Sequence, residues 1–211
     1  EETHSSGYPG VAVNAHPPGR SASAVHHFTK GSELLEKGDC ESAIREFEVA
    51  VRISPNHAGL HYNLGVANEQ TGQWDDAIRA YQAALRINPA SGNTRLRLGK
   101  AFAQKDLWDE AVREFQATLR ISPKRAEAYH NMGVAYIELG FWNEAMTAFQ
   151  TALNIDPTIA EAHSHLASLY RRQGLLIEAD RQAKLATQLV RERIHHTASP
   201  RLSGPNARSA S

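Results

Sequence analysis

Pairs of acidic residues recur along the chain, and a pair of carboxylates is the arrangement that general acid/base catalysis uses. Asp75-Asp76 and Asp109-Glu110 stand 34 residues apart. No nucleophile, base or orienting partner accompanies either pair in the sequence. Each pair instead begins a predicted helix, where acidic side chains complement the positive end of the helix dipole. We therefore predict a protein that is not an enzyme.

The eleven histidines and the single cysteine are the residues that could bind a metal ion. His163 and His165 are two apart on a predicted helix, so their side chains point to different faces. His57 and His61 have the i, i+4 spacing of a chelating pair, but His57 falls near a predicted turn. With one cysteine there is no internal disulfide, and Cys40 is predicted to be a small buried side chain. We predict no metal site and no cofactor, since the spacing and the carboxylate or thiolate company of a real site are missing.

The composition excludes several kinds of partner. Lysine plus arginine and aspartate plus glutamate number 23 each. That balance argues against a nucleic-acid binder or a membrane-surface binder, because both usually carry a basic excess. No apolar run reaches the length of a membrane span, so no membrane insertion is predicted. The compartment stays open: a soluble cytoplasmic protein is the default, and an exported or periplasmic one is the alternative if Glu1 is a processed N-terminus.

Stepping along the chain in units of 34 residues aligns several independent series. The glycine series is Gly31, Gly65, Gly99 and Gly133, with Ala167 in the fifth place. The proline series is Pro55, Pro89, Pro123 and Pro157, and an alanine series and an aromatic series run in step with it. Each unit predicts two helices, joined by a turn and ended by the residue before proline, which is disfavoured in the α region.

The spacing resembles that of the tetratricopeptide repeat, through Leu64-Gly65, Ala77, Tyr81 and Pro89 in one unit. The resemblance implies an all-α, right-handed solenoid of five helix-turn-helix repeats. The expected repeats are residues 24–57, 58–91, 92–125, 126–159 and 160–193, within a domain of residues 23–196. Residues 1–22 and 197–211 lack apolar periodicity and are predicted to be flexible tails.

The fifth unit departs from the others. Ala183 takes the place of the aromatic and Arg191 that of the proline. Without the proline the second helix can continue to about residue 196. Its outer face is expected to be polar, as the end of a solenoid requires. We predict a C-terminal capping helix.

The resemblance implies that the first helices of the repeats line a concave groove. The residue two before each member of the glycine series then faces it, as Asn63, Arg97, Asn131 and His165 do. A side-chain amide offers a donor and an acceptor and so matches one peptide unit. The tetratricopeptide domains of the O-GlcNAc transferase type use a ladder of such asparagines, which this groove partly resembles. The predicted partner-binding residues are Tyr62, Asn63, Val66, Arg97, Lys100, His130, Asn131, Val134, His165 and Arg171.

The leading functional hypothesis is a non-enzymatic protein-interaction scaffold. It would hold one protein partner, as an extended or helical segment, in the groove, and the basic centre would suit an acidic segment. Three alternatives stay open: a regulatory or substrate-targeting region of a larger enzyme, self-association through repeat faces, and a groove that is only solvated polar surface.

Overall fold

The computed structural model describes residues 22–198, which form ten α-helices and no strand. The first helices of the five pairs are α1 (Ala22–Glu36), α3 (Ala58–Gln70), α5 (Gly92–Ala103), α7 (Ala126–Glu138) and α9 (Ala160–Arg172). The second helices are α2 (Cys40–Ile53), α4 (Trp74–Ile87), α6 (Trp108–Ile121), α8 (Trp142–Ile155) and α10 (Leu176–Ala198). Each second helix packs on the first helix of its own pair, and each of the first four also packs on the helix that follows it. This order of contacts is that of a solenoid.

The turn inside each pair requires a residue with positive φ. Gly72 has a φ of +72° there, and three further glycines hold the same conformation at the same place in other pairs. In the third pair the residue is Asp106, with a φ of +57°. An L-residue with a Cβ is disfavoured in this region, so the third turn is the strained member of the series.

The positions of the glycine series have no room for a side chain, because an aromatic ring of the same repeat lies against each glycine. A Cβ added to Gly99 would lie 2.6 Å from Cε1 of Phe115, and one added to Gly65 would lie 2.5 Å from Cε1 of Tyr81. The rings of Phe115 and Tyr81 are fully buried. The fifth repeat changes both partners together, since Ala167 replaces the glycine and Ala183 replaces the aromatic.

Helix α10 has 23 residues, longer than the other second helices. Asp180 and Thr187 stand on it where other second helices carry buried or partly buried apolar residues, such as Ile78 and Leu85. The sequence predicts a polar outer face for α10. The structure differs, because Leu185 and Val190 on this helix are 37% and 45% exposed.

The predicted tails lie outside the described residues, except that positions 22, 197 and 198 are helical. Among residues 22–198, no helix combines the length and hydropathy that crossing a membrane demands.

Candidate functional site

Side chains on successive first helices contact each other along one face of the molecule. Arg97 on α5 reaches Tyr62 and Glu69 on α3. Further along, His130 on α7 and His165 on α9 have ring centroids 5.8 Å apart. Lys100 Nζ on α5 lies 3.4 Å from Glu127 Oε1 on α7, which joins the two regions. We call the face of the first helices that carries these contacts the groove face.

The N-terminal half of the groove face is closed by a network of four side chains. Arg97 donates from Nη1 to both carboxylate oxygens of Glu69, at 3.0 and 3.1 Å, and from Nε to the hydroxyl of Tyr62 at 3.0 Å. The Tyr81 hydroxyl donates to Glu69 Oε2 at 2.5 Å. Burial and the neighbouring Glu69 carboxylate raise the pKa of Tyr81, so its hydroxyl stays protonated and donates. This network ties the second repeat to the third.

The basic residues predicted for the groove all have acidic partners. Arg97 is held by Glu69, and Lys100 Nζ lies 3.4 Å from Glu127 Oε1. Arg171 Nη2 lies 3.9 Å from Asp180 Oδ1 on the next helix. The positive centre that favoured an acidic partner is thus compensated inside the protein.

Asn63 does not lie open in the groove, contrary to the sequence-based expectation. Its side chain is fully buried, and its Nδ2 donates to the Gly59 carbonyl oxygen at 3.0 Å, one turn back along α3. Its Oδ1 has no hydrogen-bond partner among the described residues. Tyr62 and Val66 beside it are also buried, 9% and 5% exposed. An asparagine bonded to its own helix presents only its acceptor, and the one-dimensional pattern does not reveal this.

The C-terminal half of the groove face is more open, and Arg171 is the one charged residue among those predicted there. Asn131, Val134 and His165 are half-buried there. The His165 ring stacks on Phe149 with centroids 4.9 Å apart, and His130 meets the same ring edge-on at 5.6 Å. Burial lowers the pKa of both histidines, so they are neutral at pH 7.

Three buried polar atoms lack any partner within residues 22–198, and all three lie on the groove face. They are Asn63 Oδ1, His130 Nδ1 and Asn131 Nδ2. Buried polar atoms are nearly always hydrogen-bonded, and each exception costs about 1–3 kcal/mol. The unsatisfied hydrogen-bonding capacity is therefore concentrated where the sequence predicts binding.

The other residues that could do chemistry do not assemble into a site in the described part of the chain. No group of three or more histidine, cysteine, aspartate or glutamate residues has the geometry to hold a metal ion there. Cys40 Sγ donates to Gln70 Oε1 at 3.0 Å. Trp142 carries the guanidinium of Arg172 over its ring, 4.2 Å from the centroid.

The sequence did not predict the role of Glu69 and Tyr81 in the network. A signal for the ion pair exists, because Glu69 and Arg97 carry opposite charges and both occupy groove positions in adjacent repeats. Nothing in the sequence marks the hydroxyl of Tyr81, since three other repeats hold phenylalanine there.

Comparison with known proteins agrees with the repeat pattern. Three tetratricopeptide-repeat family profiles match residues 28–92, 70–132 and 135–174. The chain is a tetratricopeptide repeat protein. No curated protein matches it in sequence.

Similar solved structures support the same tetratricopeptide fold. MamA 41-end from Desulfovibrio magneticus RS-1 is 22% identical with a TM-score of 0.78, over 83% of this chain and 99% of that one. A crystal structure of MamA is 24% identical with a TM-score of 0.74, over 78% and 96%. Pseudomonas aeruginosa pilF is 18% identical with a TM-score of 0.70, over 79% and 76%. The predicted all-α solenoid of helix-turn-helix repeats is confirmed, and this fold is consistent with a protein-interaction scaffold. The asparagine ladder of the O-GlcNAc transferase type stays a prediction.

Proposed function

We propose that this protein is a non-enzymatic scaffold that holds an extended segment of a protein partner against its groove face. The proposed contacts are those of the ten predicted residues that the structure leaves accessible, chiefly Asn131, Val134 and His165 on α7 and α9. The tetratricopeptide fold supports this proposal, since a stack of helix pairs offers a long surface for a partner.

The observation that carries the proposal is the set of orphaned polar atoms. An extended peptide offers one N–H and one C=O at each residue, and these groups complement an amide oxygen and an amide nitrogen. Asn131 Nδ2 is an unused donor on a half-buried side chain, so a peptide carbonyl could accept from it after a small rotation. Binding would then remove the cost of leaving this donor unpaired.

The compensated charges decide the kind of segment that fits. Lys100 and Arg97 are already paired with Glu127 and Glu69, so a carboxylate entering the groove would have to displace an internal one. The C-terminal half offers Val134 and the half-buried, neutral imidazoles of His130 and His165 instead. A segment with apolar and uncharged polar side chains suits this surface better than an acidic one.

The test compares two asparagines on the same protein. A partner captured by affinity purification and identified by mass spectrometry is titrated calorimetrically against Asn131→Ala and Asn154→Ala. Asn154 is exposed on the second helix α8, its side chain makes no hydrogen bond within residues 22–198, and it serves as the matched control. Loss of one backbone contact should weaken binding about 2- to 13-fold for Asn131→Ala and leave the control unchanged. Asn131→Asp, which replaces the donor by an acceptor, should weaken it further.

The fold should tolerate both changes. Asn154→Ala should change the free energy of unfolding by no more than about 0.5 kcal/mol, as ordinary surface substitutions do. Asn131→Ala should not lower it, because an unpaired buried donor is removed. Equal affinities for Asn131→Ala, Asn131→Asp and the unmodified protein would remove the groove as the binding site.

A second candidate is self-association through α10. It is favoured by the exposure of Leu185 and Val190 on one helix, at 37% and 45%. Light scattering over a range of concentrations should show a rising mass that a Leu185→Lys/Val190→Lys variant abolishes. A constant monomer mass for the unmodified protein would exclude it.

A further inference from the structure

Large apolar side chains are exposed in a row where the first helix of a repeat turns into the second. Leu107, Phe141 and Leu175 each immediately precede a second helix and are 41%, 48% and 42% exposed. Leu176 and Ile177 extend the row in the fifth repeat, at 64% and 84%. We call these five residues the apolar edge.

Helix formation does not explain the apolar edge. The position before a helix normally carries Asp, Asn, Ser or Thr, whose side chain accepts from the first free N–H groups. Asp39 does this in the first repeat, accepting from the Ser42 N–H at 3.1 Å. Leu107 and Phe141 hold the same position, and neither side chain makes a capping bond within the described residues. Packing explains part of this choice, because the Phe141 ring lies edge-on to Tyr136 with centroids 6.2 Å apart. The large exposed fraction that remains on each side chain points to a functional surface.

Neighbouring turns lie side by side, which makes the row continuous. Gln173 Nε2, two residues before Leu175, lies 3.5 Å from Asn143 Oδ1, two residues after Phe141. Lys105 Nζ, two residues before Leu107, lies 3.0 Å from Asp75 Oδ2 of the preceding repeat. The first contact joins the turns of the fourth and fifth repeats, and the second joins those of the second and third. Because the repeats stack in one regular arrangement, we infer that the turn of the third repeat lies beside that of the fourth in the same way.

The charges available beside the apolar edge are predominantly negative. Asp109, Glu144 and Glu178 are exposed in the first turns of the second helices and have no ion-pair partner in the described part of the chain. Two basic residues nearby are engaged, Lys105 with Asp75 and Arg172 with the Trp142 ring, and Arg181 follows Glu178 by one turn of α10. An apolar row bordered by unpaired carboxylates complements a segment that is apolar on one side and basic on the other.

We propose that the apolar edge is a second docking surface, separate from the groove face, for an amphipathic helix with basic flanks on a partner protein. Apolar residues at i, i+3, i+4 and i+7 form a straight stripe that matches a straight row of side chains. Lysine or arginine beside that stripe would meet Asp109, Glu144 and Glu178. The first two repeats carry Asp39 and Gln73 at the same position, so the surface begins at the third repeat.

The experiment uses designed helical peptides and the full chain. A peptide of leucine and lysine with the leucines on one helical face is titrated by fluorescence anisotropy, alongside an otherwise identical peptide with glutamate for lysine. The unmodified protein should bind the lysine peptide and bind the glutamate peptide at least about tenfold more weakly. The variant Leu107→Asp/Phe141→Asp/Leu175→Asp should lose about tenfold or more in affinity for the lysine peptide, since three apolar contacts disappear.

The variant also carries its own folding control. Aspartate is the residue that the first repeat uses at this position, so new capping bonds should offset the loss of partly buried contacts such as that of Phe141 with Tyr136. The triple variant should therefore still unfold in one cooperative transition. Ile87→Thr/Ile121→Thr/Ile155→Thr alters apolar residues of similar exposure, 38%, 42% and 37%, at the other ends of the second helices and should bind normally. Asn131→Ala should also bind normally, which separates this surface from the groove.

Three outcomes would overturn the proposal. They are full affinity of the triple aspartate variant, equal affinity for the two peptides, and absence of binding to the lysine peptide. Phosphatidylcholine vesicles are a further probe. Binding to vesicles that the aspartate variant loses, without binding to the peptide, would assign the edge to a lipid surface instead.

Discussion

Replacing Gly99 by alanine tests the contact on which each repeat is built. The added Cβ would lie 2.6, 2.8 and 3.1 Å from three ring atoms of Phe115, where the favourable separation of carbon atoms is about 3.5–4.0 Å. The ring is fully buried and packed against residues of the next repeat, so it cannot move aside without opening the core. The methyl group therefore overpacks a closed site.

Two effects of opposite sign determine the result. Overpacking of this degree belongs at the upper end of the range of about 1–3 kcal/mol. Alanine in place of glycine inside a helix stabilises the fold by about 1 kcal/mol, because alanine has the higher helix propensity. We expect Gly99→Ala to lower the free energy of unfolding by about 1–2 kcal/mol, which corresponds to a fall of about 2–8 °C in the melting temperature. Urea unfolding followed by circular dichroism measures the first quantity, and a thermal scan measures the second.

The decisive control is the same substitution without the ring. Phe115→Ala alone should destabilise by about 3–5 kcal/mol. In that background Gly99→Ala no longer meets a ring and should stabilise by up to about 1 kcal/mol, so its effect changes sign. The fifth repeat already combines Ala167 with Ala183 in this way. If Gly99→Ala has the same effect in both backgrounds, the close contact with Phe115 is not the reason for the glycine.

The remaining predictions concern the third turn, the network and the histidine pair. Asp106→Gly should remove the strain of a positive φ and raise the free energy of unfolding by about 0.5–1 kcal/mol, which raises the melting temperature by about 1–4 °C. A lower melting temperature would contradict the strain at Asp106. Arg97→Ala should lower the free energy of unfolding by about 1–3 kcal/mol, because it leaves buried acceptors unpaired. Lys100 is more exposed, so Lys100→Ala should lower it by no more than about 0.5 kcal/mol in the same urea unfolding experiment. Folding lowers the pKa values of His130 and His165. The free energy of unfolding is therefore unaffected by the titration of these histidines above the unfolded-state pKa of about 6.5, and it decreases as the pH falls below that value. Melting temperatures between pH 7.5 and 5.5 should thus decline less in a His130→Gln/His165→Gln variant, and an unchanged slope would refute the assignment.

The repeat architecture was predictable from the sequence because its determinants are local and recur. Gly65 and Gly99 mark the close approach of a ring, Gly72 marks a turn with positive φ, and Pro89 marks the end of a second helix. Each signal depends on steric limits of single residues, which one sequence already displays. Because these signals recur at one spacing, the fold can be predicted from this single sequence without homologous sequences.

The details of the groove were less predictable because they depend on which hydrogen-bond partner each side chain has in the folded protein. Asn63 and Asn131 occupy the same repeat position, yet one is fully buried and the other half-buried. Arg97, between them, turns back to Glu69 and Tyr62 rather than toward a ligand. Such choices arise from competition among several polar groups in three dimensions, and the one-dimensional pattern assigns all three residues the same role.

The two halves of the groove face differ in what a ligand would gain from them. In the N-terminal half, a ligand that approached Arg97 would compete with a carboxylate held by two bonds from the guanidinium and one from the Tyr81 hydroxyl. In the C-terminal half, Asn131 Nδ2 and His130 Nδ1 have no competitor among the described residues. Making a bond to an unpaired group gains more free energy than exchanging one bond for another. Binding should therefore begin on α7 and α9, and the network around Arg97 should serve to hold the second and third repeats together.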